Sequence, residues 1–147
     1  MQEGSYQVKQ SQRIYQYEFF SEGPKGRIRK VIQFQTITDY NNLFNLAFGD
    51  WDEKLRTIND MVKSNNDDRQ KILVTVAQTV FRFMKDHPDA AVIAQGSTPA
   101  RTRLYQMGIA SFWDDINMYF NVYALIEQQW EPFVGKRNYQ ALLLENK

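Results

Sequence analysis

Between residues 13 and 48 the chain alternates with a period of two. In residues 13–20, Tyr15, Tyr17 and Phe19 point one way, and Ile14, Gln16, Glu18 and Phe20 point the other. Aromatic residues in that rhythm predict a strand. Gly23-Pro24-Lys25-Gly26 predicts a turn, since glycine reaches positive φ and proline presets the bend. A second strand is expected over residues 27–37, with Ile28, Ile32 and Phe34 on one face and Arg29, Val31, Gln33 and Gln35 on the other. After Asp39-Tyr40-Asn41-Asn42, residues 43–48 predict a third strand with Phe44, Leu46 and Phe48 inward. Neighbouring strands joined by turns make an antiparallel meander. Residues 55–63 are read as a short fourth strand, because Ile58 and Val62 are β-branched and no helical stripe develops.

The rhythm then changes. Over residues 67–86, Ile72, Leu73, Val76, Val80, Phe83 and Met84 recur at three- and four-residue steps, which predicts an amphipathic helix. Asn65 or Asn66 is the expected cap, and Asp67 and Asp68 complement the positive end of its dipole. His87-Pro88 ends it, with His87 expected to meet terminal carbonyls or solvent. Residues 90–95 read as a short buried strand. A second helix opens at Thr98-Pro99, a good cap followed by a good first residue, and Gly108 fits its end. A short helix is expected over 110–115, then strands over 119–126, 130–133 and 139–145. Residues 1–12, polar and glutamine-rich, read as a flexible N-terminal arm that pairs late with a sheet edge. Residues 13–147 read as a single α+β domain: a mostly antiparallel sheet with one long and one or two shorter helices packed on one face.

Composition narrows the function classes. The 147 residues (17.4 kDa) are 43% apolar and 24% charged, which excludes intrinsic disorder. Lys and Arg number 18 against 17 Asp and Glu; a formal charge of +1 counts against a duplex-DNA binder. There is no Cys and one His, so neither a thiolate site nor a multi-His metal site within the chain is expected, and no cofactor is implied. No apolar run approaches the ~20 residues that span a bilayer, and the N-terminus lacks a signal-peptide pattern, so a cytoplasmic protein is expected. Aromatics reach 14%; Trp51, Trp113 and Trp130 each fall near an element end.

Candidate chemistry concentrates in Gly96-Ser97-Thr98-Pro99-Ala100-Arg101-Thr102-Arg103, where an apolar strand runs into a helix. A helix start offers unpaired N–H groups and partial positive charge. Ser97 and Thr98 add hydroxyls, Arg101 and Arg103 add guanidinium groups, and Gly96 permits close approach to the backbone. The set Gly96, Ser97, Thr98, Arg101 and Arg103 is therefore a candidate cradle for a phosphate or carboxylate. A plain helix cap, with the arginines facing water or Asp114 and Asp115, accounts for the same residues. A basic run, Lys25, Arg27, Arg29 and Lys30, lies among Phe19, Phe20 and Phe34; Arg27 and Arg29 share a face and are candidate helpers for a nucleotide or RNA. No Gly-x-Ser-x-Gly or His-Glu-x-x-His motif is present, and no base can be named, so the enzyme question stays open. Asp50 and Asp52 read as turn chemistry at a strand end.

Several stretches resemble one bacterial family. They are Tyr17-Glu18-Phe19, Ser21-Glu22-Gly23-Pro24-Lys25-Gly26, Val31-Ile32-Gln33-Phe34, Asn45-Leu46-Ala47-Phe48-Gly49-Asp50, Ser64-Asn65-Asn66, Thr75-Val76-Ala77, Asn138-Tyr139 and the long run Gly96 to Tyr105. The chain resembles DUF6934, a domain of unknown function encountered mainly in Bacteroidetes, over roughly residues 13–145. The resemblance implies a bacterial, cytoplasmic, stand-alone protein and carries no catalytic residues. Two functions compete: binding of a phosphate-bearing small molecule or RNA at the helix start, and a protein-interaction module or homodimer built on exposed aromatics.

Overall fold

β2 (Gln16–Gly23) and β3 (Gly26–Thr36) pair antiparallel through the two-residue loop Pro24-Lys25, with Gly23 opposite Gly26. Gly26 takes φ +88°, the left-handed conformation a side chain would resist. β4 (Leu43–Asp52) continues the meander. On its inner face Tyr17, Phe19, Ile32, Phe34, Phe44 and Leu46 are buried, as the alternation predicts. The structure is a computed structural model describing residues 4–59 and 66–147. β1 (Lys9–Gln10) pairs with Tyr17 and Glu18, and β5 (Thr57–Asn59) pairs with the end of β4. Of the strand expected over 55–63, residues 57–59 form it; residues 60–63, and Asn65 as a cap, lie outside the described residues.

α1 (Arg69–Asp86) buries Val76, Val80, Phe83 and Met84 against the sheet. It begins two residues later than the periodicity suggests, because Asp67 sits at φ +57° and the helix cannot include it. Asn66 is not its cap. Its Nδ2 donates to Ser21 Oγ and to the Gly26 carbonyl (both 3.0 Å), and its Oδ1 accepts from Lys25 N–H (2.7 Å). The side chain thus locks the β2–β3 hairpin. At the far end the backbone N–H and ring Nδ1 of His87 both reach the Phe83 carbonyl at 2.9 Å, so the histidine caps the helix.

After α1 come β6 (Ala91–Ala94), α2 (Pro99–Ser111), α3 (Trp113–Tyr119), β7 (Phe120–Ile126), β8 (Gln129–Pro132) and β9 (Ala141–Asn146). Among the described residues the sheet order is β1-β2-β3-β4-β6-β9-β7-β8, with β5 beside β4. Only β4–β6 is parallel, so the domain is α+β with a mostly antiparallel sheet. Gly108 is not the end of α2. The helix runs on to Ser111, and a Cβ at Gly108 would lie 3.6 Å from Leu73 of α1. The short helix expected over 110–115 starts later, at Trp113, with Asp114 and Asp115 in its first turn.

Candidate functional site

The parallel pair fixes where a site can form. Leu46 of β4 lies opposite Ala94 of β6, and both strands run on in the same direction, β4 to Asp50 and β6 into Gly96. α2 follows β6, and the start of α1 is held at the β2–β3 hairpin through Asn66, on the Asp50 side of the sheet, so both helix starts lie towards the same end. The carboxyl ends of parallel strands are where open sheets with crossover helices gather ligands.

A cavity of about 850 Å³ lies between the inner face of the sheet and α1–α2. Leu46, Phe48, Val76, Val80, Val92 and Leu144 represent its apolar wall. Its polar lining is Lys30, Asp50, Asn66, Asp68, Arg69, Thr98, Arg101 and Arg103. The volume falls within the range of small-molecule pockets, about 300–1,000 Å³, as does the pattern of apolar walls with few polar groups.

Thr98 caps α2 as expected: its Oγ1 accepts from Arg101 N–H at 3.2 Å. The loop before it folds tightly onto the helix. Gly96 N–H donates to Thr102 Oγ1 (3.0 Å), and a Cβ on Gly96 would meet the Arg101 side chain and lie 2.7 Å from Thr102 N. The close approach this glycine permits is by the helix's own first turn. Thr98, Arg101 and Arg103 border the cavity, while Gly96 and Ser97 are outside its lining. Arg101 is half-buried and Arg103 exposed.

Arg27 and Arg29 lie on the opposite face of the sheet. Arg27 covers the Phe20 ring at 3.8 Å, with Glu22 3.9 Å away. Arg29 Nε donates to Glu18 (3.0 Å), its Nη1 reaches Glu53 (3.2 Å), and its guanidinium lies over Trp51. The pair is separated from the cradle by the thickness of the sheet.

Lys30, read from the sequence as part of a basic run, and Asp50, read as turn chemistry, are brought together by the fold. They are partners across β3 and β4 and form an ion pair on the inner face, with side chains only 7% and 15% exposed. Strict alternation places Lys30 between Ile28 and Ile32, and Asp50 two residues beyond Phe48. A charge at a core position was the available signal. Asp50 lies inside β4, which corrects its reading as turn chemistry.

Asp68 carries a second polar cluster at the cavity. Its carboxylate accepts from the hydroxyls of Tyr6 (2.6 Å) and Ser21, and makes no capping bond in α1. Tyr6 also stacks on Phe19, and its backbone N–H donates to Thr75 Oγ1 at 2.8 Å. Burial, and then the bond to Asp68, push the Tyr6 phenol above its ordinary value. A raised phenol favours the protonated folded state, so its contribution is present below pH ~10 and lost as pH climbs through the folded value. Tyr6→Phe is expected to cost about 1.5 kcal/mol at pH 7, the lower end for a bond to a charged group. The variant's stability should then fall less steeply between about pH 9 and 11. Urea denaturation at both ends of that window checks it; an unchanged alkaline slope counts against the Tyr6–Asp68 bond.

The sequence pattern described as "Family of unknown function (DUF6934)" matches residues 2–147. The chain belongs to the DUF6934 family. No curated protein and no solved structure matches it. For this DUF6934 chain, no helix among the described residues is long and apolar enough to cross a membrane. Of its tryptophans, Trp51 lies under Arg29, Trp113 packs on Phe133 at 5.3 Å, and Trp130 is 44% exposed on β8.

Proposed function

We propose that the protein binds a small phosphate-bearing molecule with an apolar body. The body fills the cavity between the sheet and α1–α2, and the phosphate meets Arg101 and Arg103 beside the Thr98 cap. The observation that supports this reading most is the cavity itself: a mainly apolar chamber of about 850 Å³ bordered by those two guanidinium groups. Arginine grips phosphate through paired N–H donors, and an apolar chamber favours a hydrophobic substituent over a bare polyanion. RNA has less support, because Arg27 and Arg29 are occupied by carboxylates and aromatic rings on the other face. An interaction module has less support too, since two of the three tryptophans are engaged within the fold.

A thermal-shift series tests the reading with octyl phosphate, inorganic phosphate, AMP and a short RNA oligomer. Octyl phosphate is expected to raise the melting temperature most; at 100 times its Kd it stabilises by about 2.7 kcal/mol. Arg101→Ala with Arg103→Ala should weaken octyl phosphate at least tenfold. The first of these substitutions keeps the Cβ that packs on Gly96, so the loop before α2 retains its support. No shift with any phosphate compound, or equal shifts in the double variant, overturns the reading. A shift with RNA alone would favour the sheet's other face.

A further inference from the structure

We infer that Arg69 of α1 completes the phosphate clamp of this cavity together with Arg103 of α2, and that the ligand is a single-chain amphiphile with its phosphate at the mouth between the two helices and its chain inside. The inference rests on the cavity reading above and adds to it an arginine from the other helix and an orientation. Arg69 reaches from α1 across to α2, where its Nη2 lies 3.4 Å from Met107 Sδ. Met107 stands four residues beyond Arg103, so the two share a face of α2 and lie about 6 Å apart along its axis. Arg69, Arg103 and Met107 all border the cavity, and all three are exposed. The rim beside Met107 therefore carries one guanidinium group from each helix.

Neither arginine is spent on the fold. Among the described residues, neither forms an ion pair. A thioether is a weak acceptor, so the Met107 contact places the Arg69 group without offsetting its charge. Arg69 is also the first residue of α1, whose first turn holds no acidic side chain, and a cation there opposes the helix dipole. The neighbouring carboxylate, Asp68, takes its bonds from Tyr6 and Ser21. Helix stability therefore does not account for Arg69.

The orientation follows from where polarity changes along the cavity. Its mouth holds the exposed arginines and Met107, whereas Leu46, Val80, Val92 and Leu144 of its wall are buried. An apolar chain gains most at the buried end. A charged head at an exposed rim keeps part of its hydration, and paired N–H donors replace the rest. A substituent on the outer phosphate oxygen then points to solvent. The ligand class is thus one apolar chain ending in a phosphate, as a monoester or with a further group on the head.

Calorimetric titration with octyl phosphate, methyl octyl phosphate and octanol tests this. The wild-type protein is expected to bind the methyl diester within tenfold of octyl phosphate, and octanol at least tenfold more weakly than either. Arg69→Gln should weaken octyl phosphate at least fivefold while octanol changes less than twofold. Lys71→Gln removes a cation that lies over the Tyr6 ring and does not line the cavity, and should leave octyl phosphate within twofold. Both positions are exposed, and melting curves verify that the variants fold. Unchanged octyl phosphate binding in Arg69→Gln, an equal loss in Lys71→Gln, or a diester bound more than tenfold more weakly overturns the inference while the cavity reading stands. Octanol bound as tightly as octyl phosphate, or no binding of either, overturns both.

Discussion

Phe83→Ala is expected to lower the free energy of unfolding by about 3–5 kcal/mol, the usual cost of emptying a large aromatic site in a core. The ring is fully buried and sits where the helix meets the meander. It stacks on Phe34 at 3.9 Å and on His87 at 4.4 Å, and meets Phe44 and Tyr15 edge-on at 5.0 and 5.7 Å. These partners come from β3, β4, the end of α1 and the residue before β2, so the cavity left behind cannot close by moving one side chain. Domains of this size have about 5–15 kcal/mol in total, which makes the loss a large share. Urea denaturation with an unchanged m-value should show it as a midpoint shift. A loss under about 1 kcal/mol would mean that the aromatic cluster does not hold α1 to the sheet.

The second large effect is expected at Lys30. Lys30→Met preserves the length of the side chain but strands the Asp50 carboxylate, 15% exposed, among Phe48 and the cavity wall. Removing one member of a buried pair costs about 3–5 kcal/mol, mostly through the charge left behind. Lys30→Met combined with Asp50→Leu should recover most of that loss, because both charges are gone. The two substitutions are therefore strongly non-additive, and a double-mutant cycle by denaturant titration measures the coupling. Additive losses would show that the two side chains do not act on each other in solution.

These two residues also show what was legible in the sequence. Phe83 lies on the helical stripe at residues 72–84, and periodicity alone places it in the core. Lys30 interrupts an equally clear strand stripe, but reading it with Arg27 and Arg29 as one basic run hides that its side chain faces inward. The strand pattern of residues 16–48 was readable because one face of the meander is apolar and the other largely polar. The ends of the helices were less so. Asp67 at φ +57° follows Asn66, which is tied to the hairpin 40 residues away, and α2 runs past Gly108 to Ser111 beside Leu73 of α1. Both are decided by tertiary contact, which a local start or stop signal does not contain. The cradle's arginines were visible as residue types. The cavity they border was not, since it is formed jointly by β3, β4, β6, β7, β9 and all three helices.

The place of β9 in the sheet has a consequence for synthesis. β6 touches the N-terminal strands through β4, whereas the β7–β8 hairpin joins the sheet only through β9. β9 lies between β6 and β7, and its residues, Ala141–Asn146, are translated after every other strand described. A nascent chain that has not yet released them from the ribosome holds two sheet fragments, each with an unpaired edge. At about 5–20 residues per second, several seconds of synthesis separate the end of α1 from the joining strand. In that interval exposed edges invite wrong partners, and very short edge strands blunt the hazard. β6 is only four residues long, so the edge it leaves open in that interval is short.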